Sequence, residues 1–169
     1  MLNTILSRRS IRKYTAQPVP VEMIEQILRA GMAAPSARNE QPWHFVVVTE
    51  RDRLANVAAV HPYAQMLRGA SFAVVVCGDT SRETVKEYWV QDCSAATQNM
   101  LLAAHALGLG GVWLGVYPRP ERIEPIKTLF GLPERVMPLC VLSFGYPDEK
   151  KPPADRYDSG RVHNNHWDT

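Results

Sequence analysis

The sequence predicts one domain of the α/β or α+β class, with about four strands and five helices. Short apolar runs rich in β-branched residues alternate along the chain with longer segments of helical periodicity. The 169 residues are 46% hydrophobic and 21% charged, which is typical of a single soluble globular domain. A chain of this length buries about two thirds of the surface that its unfolded form exposes, so its core needs no disulfide or structural metal.

The chain begins with two predicted helices. Leu2–Leu6 carries apolar residues at helical spacing and predicts a short first helix. Val21–Met32 repeats apolar residues at three and four positions, with glutamates in the first turn, where the helix dipole favours acids. Pro35 ends this second helix and begins a polar loop that extends to Pro42. We expect an amphipathic helix followed by an irregular segment.

Two strands and a helix are predicted next. Trp43–Val48 and Phe72–Cys77 are short, continuously apolar runs, as in strands that are buried on both faces. Leu54–Val60, between them, has a helical pattern. Both strands should lie inside one sheet.

The second half of the chain continues the alternation. Tyr88–Leu107 is the longest helical pattern, and its middle is apolar on almost every side, so this helix should be buried. Gly108 is a natural cap at its C-terminal end. A strand over Val112–Val116, a helix over Arg122–Phe130 and a strand over Val136–Phe144 follow.

Proline and charged residues dominate the end of the chain. The sequence holds 13 prolines, and three of them fall in the polar segment after Gly145. We expect residues 1–169 to form one domain whose tail, residues 147–169, is too polar to build its own core and therefore lies across this subunit or a partner.

Charge and cysteine usage exclude several classes of protein. The formal net charge of +2 is too small for a chain-wide attraction to nucleic acid or to a membrane surface. No apolar run approaches the roughly 20 residues that span a bilayer, and the N-terminus lacks the charged-then-apolar order of a signal peptide. The three cysteines have no paired spacing, which predicts neither a disulfide framework nor a zinc site. We expect a cytoplasmic protein that binds neither nucleic acid nor membrane.

Familiar site motifs also fail in context. The glycines of Leu107–Gly115 follow a helix and precede a strand, which is the reverse of a dinucleotide fingerprint, so we interpret them as a tight helix-to-strand turn, with Gly115 as the exception. His163 and His166 lie in a polar tail without acidic or cysteine ligands at recognisable spacing, and we interpret them as solvated. The sequence has no Walker-type loop and no Gly-x-Ser-x-Gly elbow.

One basic segment remains as a candidate site. Most side chains of Arg8–Tyr14 donate hydrogen bonds, and Arg8, Ser10 and Arg12 could converge on one phosphate from an irregular segment. A basic helix end is also commonly a solvated face or a complement to the helix dipole. The segment alone leaves both interpretations open.

Together with three other segments, this cluster resembles the nitroreductase family of FMN-dependent oxidoreductases. Arg8–Tyr14 (RRSIRKY) is similar to the family's Arg-x-Ser-x-Arg/Lys segment, and Ala34–Phe45 (APSARNEQPWHF) to its Pro-Ser-x-x-Asn-x-Gln-Pro-Trp loop. Ala95–Gly111 resembles the buried central helix with Gly-Leu-Gly after it, and Gly145–Pro147 with the basic tail resembles the end of the family's chains. The four segments occur in the family's order and cover nearly the whole chain.

The resemblance implies a particular fold and assembly. The fold would be α+β, with a mixed central sheet of about four strands and, optionally, a C-terminal strand exchanged between subunits. Helices would flank the sheet, and the assembly would be an intertwined homodimer with two FMN sites at its interface.

The resemblance also implies roles at the phosphate end of FMN and at its pyrimidine edge. Arg8 and Ser10, with Arg9 beside them, would bind the phosphate and ribityl chain. Arg12 would lie by the N1 and O2 edge, where a cation stabilises the negative charge of reduced flavin. Two arginines match the family's C-terminal phosphate contact, Arg161 first and Arg156 second.

The remaining contacts would come from one loop and one strand. Leu114, Gly115 and Val116 would pass the flavin N5 edge, where the backbone N–H of Gly115 or of Val116 can bond N5 because a small residue allows close approach. The partner subunit would supply contacts to the ring and ribityl chain from Pro35, Ser36 and Asn39.

Three functions follow from these observations. The first is an FMN-dependent enzyme that takes hydride from NAD(P)H and reduces an electron-poor acceptor such as a nitroaromatic or a quinone. Because the flavin would carry the chemistry, no catalytic side chain is expected. The chain lacks the insertions of longer family members, which suggests a second function, a non-catalytic protein that stores, delivers or senses FMN. A third, remote function is nucleic-acid binding by the basic N-terminus.

Overall fold

A computed structural model describes residues 1–167, and it contains each helix and strand predicted from the sequence. The observed ends of these elements differ from the predicted ones by three residues or fewer, mainly because a polar first turn, such as that of α3, shows no apolar periodicity. The helices are α1 (Leu2–Ser7), α2 (Val21–Met32), α3 (Arg51–Val60), α4 (Tyr88–Ala106) and α5 (Pro120–Phe130). The strands are β1 (Trp43–Val48), β2 (Phe72–Asp79), β3 (Gly110–Gly115) and β4 (Val136–Gly145).

The four strands form one sheet in the order β1-β2-β4-β3, and each neighbouring pair is antiparallel. The fold is therefore α+β as expected, but the expectation of a mixed sheet is wrong for these four strands. The sheet is antiparallel because of the position of β4. The strands β2 and β3, joined by α4, run in the same direction, but β4 lies between them and runs in the opposite one. The one parallel pairing within residues 1–167 is the isolated bridge between Ser10 and Gly111.

Helices cover both faces of the sheet and bury β2 completely. Phe72, Val74 and Val76 point to a core shared with α2 and α4, whereas the residues between them point to a second core shared with α3 and α5. Because all eight residues of β2 are buried, its sequence is apolar at every position before Asp79 rather than alternating. The helix α4 is buried against the sheet and α2, as its apolar middle predicted.

The turn from α4 into β3 explains the glycine-rich segment. Gly108 has a φ of +80°, a conformation that glycine adopts without strain. A Cβ on Gly110 would lie 2.7 Å from Ile11, and one on Gly111 would lie 2.7 Å from Phe144. The interpretation as a helix-to-strand turn is confirmed at Gly108, whereas Gly110 and Gly111 are already the first residues of β3. Their small size lets β4 and residues 8–14, here called the N-terminal segment, pack closely against β3.

The N-terminal segment lies along the free edge of β3. The Ile11 N–H donates to the Gly111 carbonyl over 3.0 Å, and the beginning of the tail covers the same segment, since the Lys151 ammonium donates to the Ser10 carbonyl over 2.6 Å. This arrangement brings Arg12 next to the end of β3. Across the described residues, no helix is both long and apolar enough to cross a membrane.

Candidate functional site

A cleft of about 430 Å³ opens where the N-terminal segment meets the end of β3. Three of the residues predicted from the sequence, Arg12, Leu114 and Gly115, line it together. The other lining residues were not predicted; they are His61, Tyr63, Gln65, Met66 and Trp113. These five come from the segment after α3 and from β3 itself, and the sequence contains no motif that would have identified them.

Gly115 turns its backbone polar groups away from the sheet. Val116 donates its N–H to the Leu139 carbonyl over 3.0 Å, so its N–H is already used within the chain. Hydrogen-bonded and non-hydrogen-bonded pairs alternate along an antiparallel ladder. The pair Gly115 and Cys140 is therefore non-hydrogen-bonded, and the N–H and carbonyl of Gly115 both point outward from the edge strand.

The space beside Gly115 is open. A Cβ placed on this residue would meet no atom within 4 Å, in contrast to those on Gly110 and Gly111. A flat ligand can therefore approach the backbone of the strand closely at this point. Of the two backbone donors predicted from the sequence, the N–H of Gly115 is the one directed to the cleft.

The buried His61 and the half-buried Arg122 hold the Gly115 carbonyl. The Nε2 of His61 lies 3.0 Å from this oxygen, and a terminal guanidinium nitrogen of Arg122 donates to it over 2.9 Å. The Tyr63 N–H donates to Nδ1 of His61 over 3.2 Å, so Nε2 carries the hydrogen and the imidazole is neutral. Burial, opposed by the bond to Gly115 and reinforced by the Arg122 charge, lowers the His61 pKa below its ordinary value.

Three arginines gather beside the N-terminal segment. Burial lowers the pKa of Arg8 from its ordinary value, and the charges of Arg156 and Arg9 lower it further. Within residues 1–167 no side-chain hydrogen bond or ion pair neutralises these three guanidinium groups. Arg161, in contrast, is 85% exposed and pairs with Asp158 over 3.0 Å. The structure therefore places Arg156, rather than Arg161, near Arg8.

The loop before β1 holds an unusual backbone. Arg38, Asn39 and Gln41 have positive φ values of 51°, 59° and 48°, a region that residues other than glycine seldom occupy. The Ser36 hydroxyl accepts the Gln41 N–H over 3.0 Å, and the Ala37 N–H donates to the buried Asp92 carboxylate over 3.0 Å. These bonds keep the loop in a conformation that its sequence alone would not favour.

Within one chain, this loop does not reach the cleft of Arg12 and Gly115. Pro35 and Ser36 instead line a separate cleft of about 280 Å³ beside the start of α4, and Asn39 is exposed next to them. Their assignment to the site of a second subunit stays a prediction.

Comparison with known proteins places the chain among flavin-linked enzymes. The family model described as "Nitroreductase family" matches residues 5–61 and 58–146. A protein of Methanothermobacter thermautotrophicus is named "Putative NADH dehydrogenase/NAD(P)H nitroreductase". It is 50% identical to this chain, and the match covers 99% of this chain and 87% of that protein. An FMN-dependent nitroreductase from Clostridium difficile superimposes with a TM-score of 0.92 at 31% identity, covering 99% of this chain and 100% of that one.

The fold also matches that of a protein crystallised with a nicotinamide cofactor. The NADPH:FMN oxidoreductase of Vibrio harveyi, solved in complex with NAD+, has a TM-score of 0.87 at 31% identity and covers 99% of this chain and 78% of that one. The motifs along the sequence, the α+β fold and these matches agree, and this chain belongs to the nitroreductase family.

Proposed function

We propose that this protein is an FMN-dependent oxidoreductase that takes hydride from NAD(P)H and reduces an electron-poor acceptor of the nitroaromatic or quinone class. The observation that carries the proposal is the cleft in which Arg12 lies with Leu114 and Gly115 beside open space. A cation, an outward N–H and an unobstructed strand edge together form a surface that fits a flat, electron-accepting ring.

The arginine cluster fits the phosphate of FMN. Arg8, Arg9 and Arg156 lie close enough for their charges to disfavour one another, and among residues 1–167 they have no acidic partner. A phosphate dianion would relieve this repulsion through charge-assisted hydrogen bonds. We propose that these three arginines, with Ser10, hold the phosphate and ribityl chain, and that Arg156 is the tail residue that takes part.

When bound, FMN would supply the redox chemistry for the proposed hydride transfer. The residues of this chain bind and orient it. Arg12 lies where its charge would stabilise an anionic reduced ring, which favours electron uptake. Gly115 offers a backbone N–H to the N5 edge, and Leu114 provides an apolar wall.

The cysteines have no part in this chemistry. Burial raises the pKa of Cys77 and of Cys140 to about 12, and Cys93 is likewise buried with a raised pKa. At neutral pH all three thiols stay protonated and are poor nucleophiles. The proposed activity therefore rests on binding and electrostatics rather than on a covalent intermediate.

Names of the relatives support the same chemistry. The protein from Clostridium difficile is FMN-dependent, and that from Vibrio harveyi pairs NADPH with FMN. The matches cover 99% of this chain in both cases, which supports assigning the same cofactor pair to it.

We further propose a cytoplasmic homodimer. The loop with Pro35, Ser36 and Asn39 lies outside the first cleft, so a second copy would be needed to bring it there. A broad apolar cleft of about 660 Å³ between α1, α2 and α4 provides a surface for that copy. It is lined by Met1, Thr4, Ile5, Ala30, Ala33, Asn99, Leu102, Ala103 and Ala106.

Spectroscopy of the purified protein tests the proposed function. We expect a flavin absorbance spectrum, or its appearance on adding FMN, and rapid anaerobic bleaching of that absorbance by NADH or NADPH in a stopped-flow experiment. Reoxidation by a nitroaromatic or a quinone should complete the cycle. A protein that binds FMN without rapid bleaching would instead be a storage, delivery or sensing protein, and a protein that binds no FMN would overturn the proposal.

A further inference from the structure

We propose that His61 and Arg122 are positioning residues that set the orientation of the Gly115 backbone at the flavin N5 edge. This inference rests on the proposed function, because it assumes that FMN occupies the cleft of Arg12 and Gly115. Neither residue belongs to a motif of the sequence, and neither would contact the phosphate end of the cofactor.

The geometry of the three groups carries the proposal. The Gly115 carbonyl accepts hydrogen bonds from His61 Nε2 over 3.0 Å and from Arg122 over 2.9 Å. The imidazole of His61 is 1% exposed and is fixed on its other side by the Tyr63 N–H. The guanidinium of Arg122 in turn lies over the Tyr63 ring, 5.3 Å from its centre. Two rigid donors from two different helix ends therefore meet at one carbonyl oxygen.

The position of Gly115 explains why such donors matter. It is the last residue of an edge strand, and glycine has the widest choice of backbone conformations. Its ladder partner Cys140 forms no hydrogen bond with it, because the pair is of the non-hydrogen-bonded kind. Both polar groups of a strand residue point to the same side, so donors that hold the carbonyl also orient the N–H that faces the cleft.

The position of Arg122 beside Gly115 leaves one of its polar atoms buried without a hydrogen-bond partner in the described part of the chain. Its Nε atom is buried and has no hydrogen-bond partner among the described residues, and a buried polar group without a partner is destabilising. Within residues 1–167, no carboxylate forms an ion pair with its guanidinium. Among residues 1–167 the guanidinium has one hydrogen bond, to the Gly115 carbonyl, which indicates that this bond, rather than a surface ion pair, fixes the side chain.

Substitutions that remove or restore each donor test the proposal. His61→Met and Arg122→Met remove the donors, whereas His61→Gln and Arg122→Lys retain a nitrogen donor of similar reach. Arg119→Met, an exposed position on the same helix end, is the matched control. Apoprotein of each variant is titrated with FMN and with riboflavin, which lacks the phosphate, and the 15N chemical shift of N5 is measured with labelled FMN.

We expect each Met variant to bind FMN and riboflavin about tenfold more weakly, because the Gly115 N–H is no longer held in place and its hydrogen bond of ordinary strength to the ring is lost. The two ligands should lose affinity by the same factor because the effect is at the ring. The N5 resonance should shift in the direction of a weaker hydrogen bond, and the Gln and Lys variants should recover most of the affinity.

Unchanged ring affinity and an unchanged N5 shift in a folded Met variant would overturn the inference, even if its melting temperature falls, because His61 and Arg122 would then be structural only. If one Met variant does not fold, the other and the two conservative variants decide the matter by the same criteria. Failure of the wild-type protein to bind FMN would overturn the proposed function itself and would be visible before any variant is compared.

Discussion

Arginine side chains divide the proposed site into two chemically different ends. Arg8, Arg9 and Arg156 lie together beside the N-terminal segment, whereas Arg12 lies in the cleft with Gly115. The first group matches a compact dianion and the second a ring whose charge changes on reduction. This division predicts that single substitutions at the two ends have different effects.

Arg8→Ala and Arg12→Ala test this division. Loss of a charge-assisted contact costs about 1.5–3 kcal/mol, so Arg8→Ala should weaken FMN binding by roughly 10- to 100-fold and leave riboflavin binding unchanged. Arg12→Ala should instead lower the flavin reduction potential by roughly 30 mV, equivalent to about 1.4 kcal/mol for two electrons. Titrations with both flavins and a spectroscopic potential measurement distinguish the variants. Equal behaviour of the two variants would show that the division is wrong.

His61 makes the stability of the protein depend on pH. Its pKa in the folded protein is lowered, chiefly by burial, so below a pH of about 6.5, the ordinary histidine value, the unfolded chain binds more protons than the folded one. The free energy of unfolding must then fall as the pH falls through this range. Protonation of Nδ1 also removes the acceptor of the Tyr63 N–H.

Denaturant unfolding of the apoprotein between pH 7.5 and pH 5 measures this dependence. We expect His61→Gln to lose less stability than wild type across that interval, because glutamine does not titrate. If the slopes of wild type and His61→Gln coincide, His61 is not the group responsible.

Within the strand β3, glycines that look alike in sequence have different physical roles. A Cβ on Gly111 would lie 2.7 Å from the Phe144 ring and 3.2 Å from the Ser143 carbonyl, whereas one on Gly115 would meet nothing within 4 Å. Gly111 is therefore needed for packing, whereas the space beside Gly115 is open, as the proposed flavin site requires.

Alanine substitutions separate these two roles. Gly111→Ala should lower the free energy of unfolding by about 1–3 kcal/mol, as overpacking does in a close-packed core. Gly115→Ala should leave stability unchanged or slightly raised, because alanine has less conformational freedom in the unfolded chain. Its methyl group should nevertheless weaken FMN and riboflavin binding by about tenfold or more. Denaturant unfolding and flavin titration measure both effects; a Gly115→Ala protein with normal flavin affinity would show that the ring does not approach this strand.

The elements could be predicted from the sequence because local periodicity reports burial. β2, for example, is apolar at every position except its end and is buried on both faces. The order of the strands could not be predicted in this way, since the insertion of β4 between β2 and β3 depends on pairing between distant segments. The resemblance predicted Arg12, Leu114 and Gly115, which line one cleft, but no feature of the sequence pointed to His61 and Arg122. The role proposed for them comes from the meeting of two helix ends at one carbonyl, which leaves no signal in the nearby sequence.

At the scale of the whole molecule, one chain holds two halves of the proposed site apart. Arg12 and Gly115 line one cleft, and Arg8 precedes Arg12 on the same segment, whereas the strained loop with Ser36 and Asn39 lies in another region, beside α4. The loop is held by its own bonds to Gln41 and Asp92, so it is already shaped without contact with the first cleft. Such a loop is suited to complete the site of a second copy.

Mixed dimers test this arrangement directly. One variant carries Arg8→Ala, and the other carries Ser36→Ala with Asn39→Gly, which preserves the positive φ at position 39. If each site uses Arg8 of one subunit and the loop of the other, a mixed dimer has one intact site and one doubly altered site. At an FMN concentration where both parent variants are nearly empty, the purified mixed dimer should bind about half as much FMN as wild type with wild-type affinity. If both elements came from the same subunit, every site in the mixed dimer would be damaged, and no tight binding would be recovered.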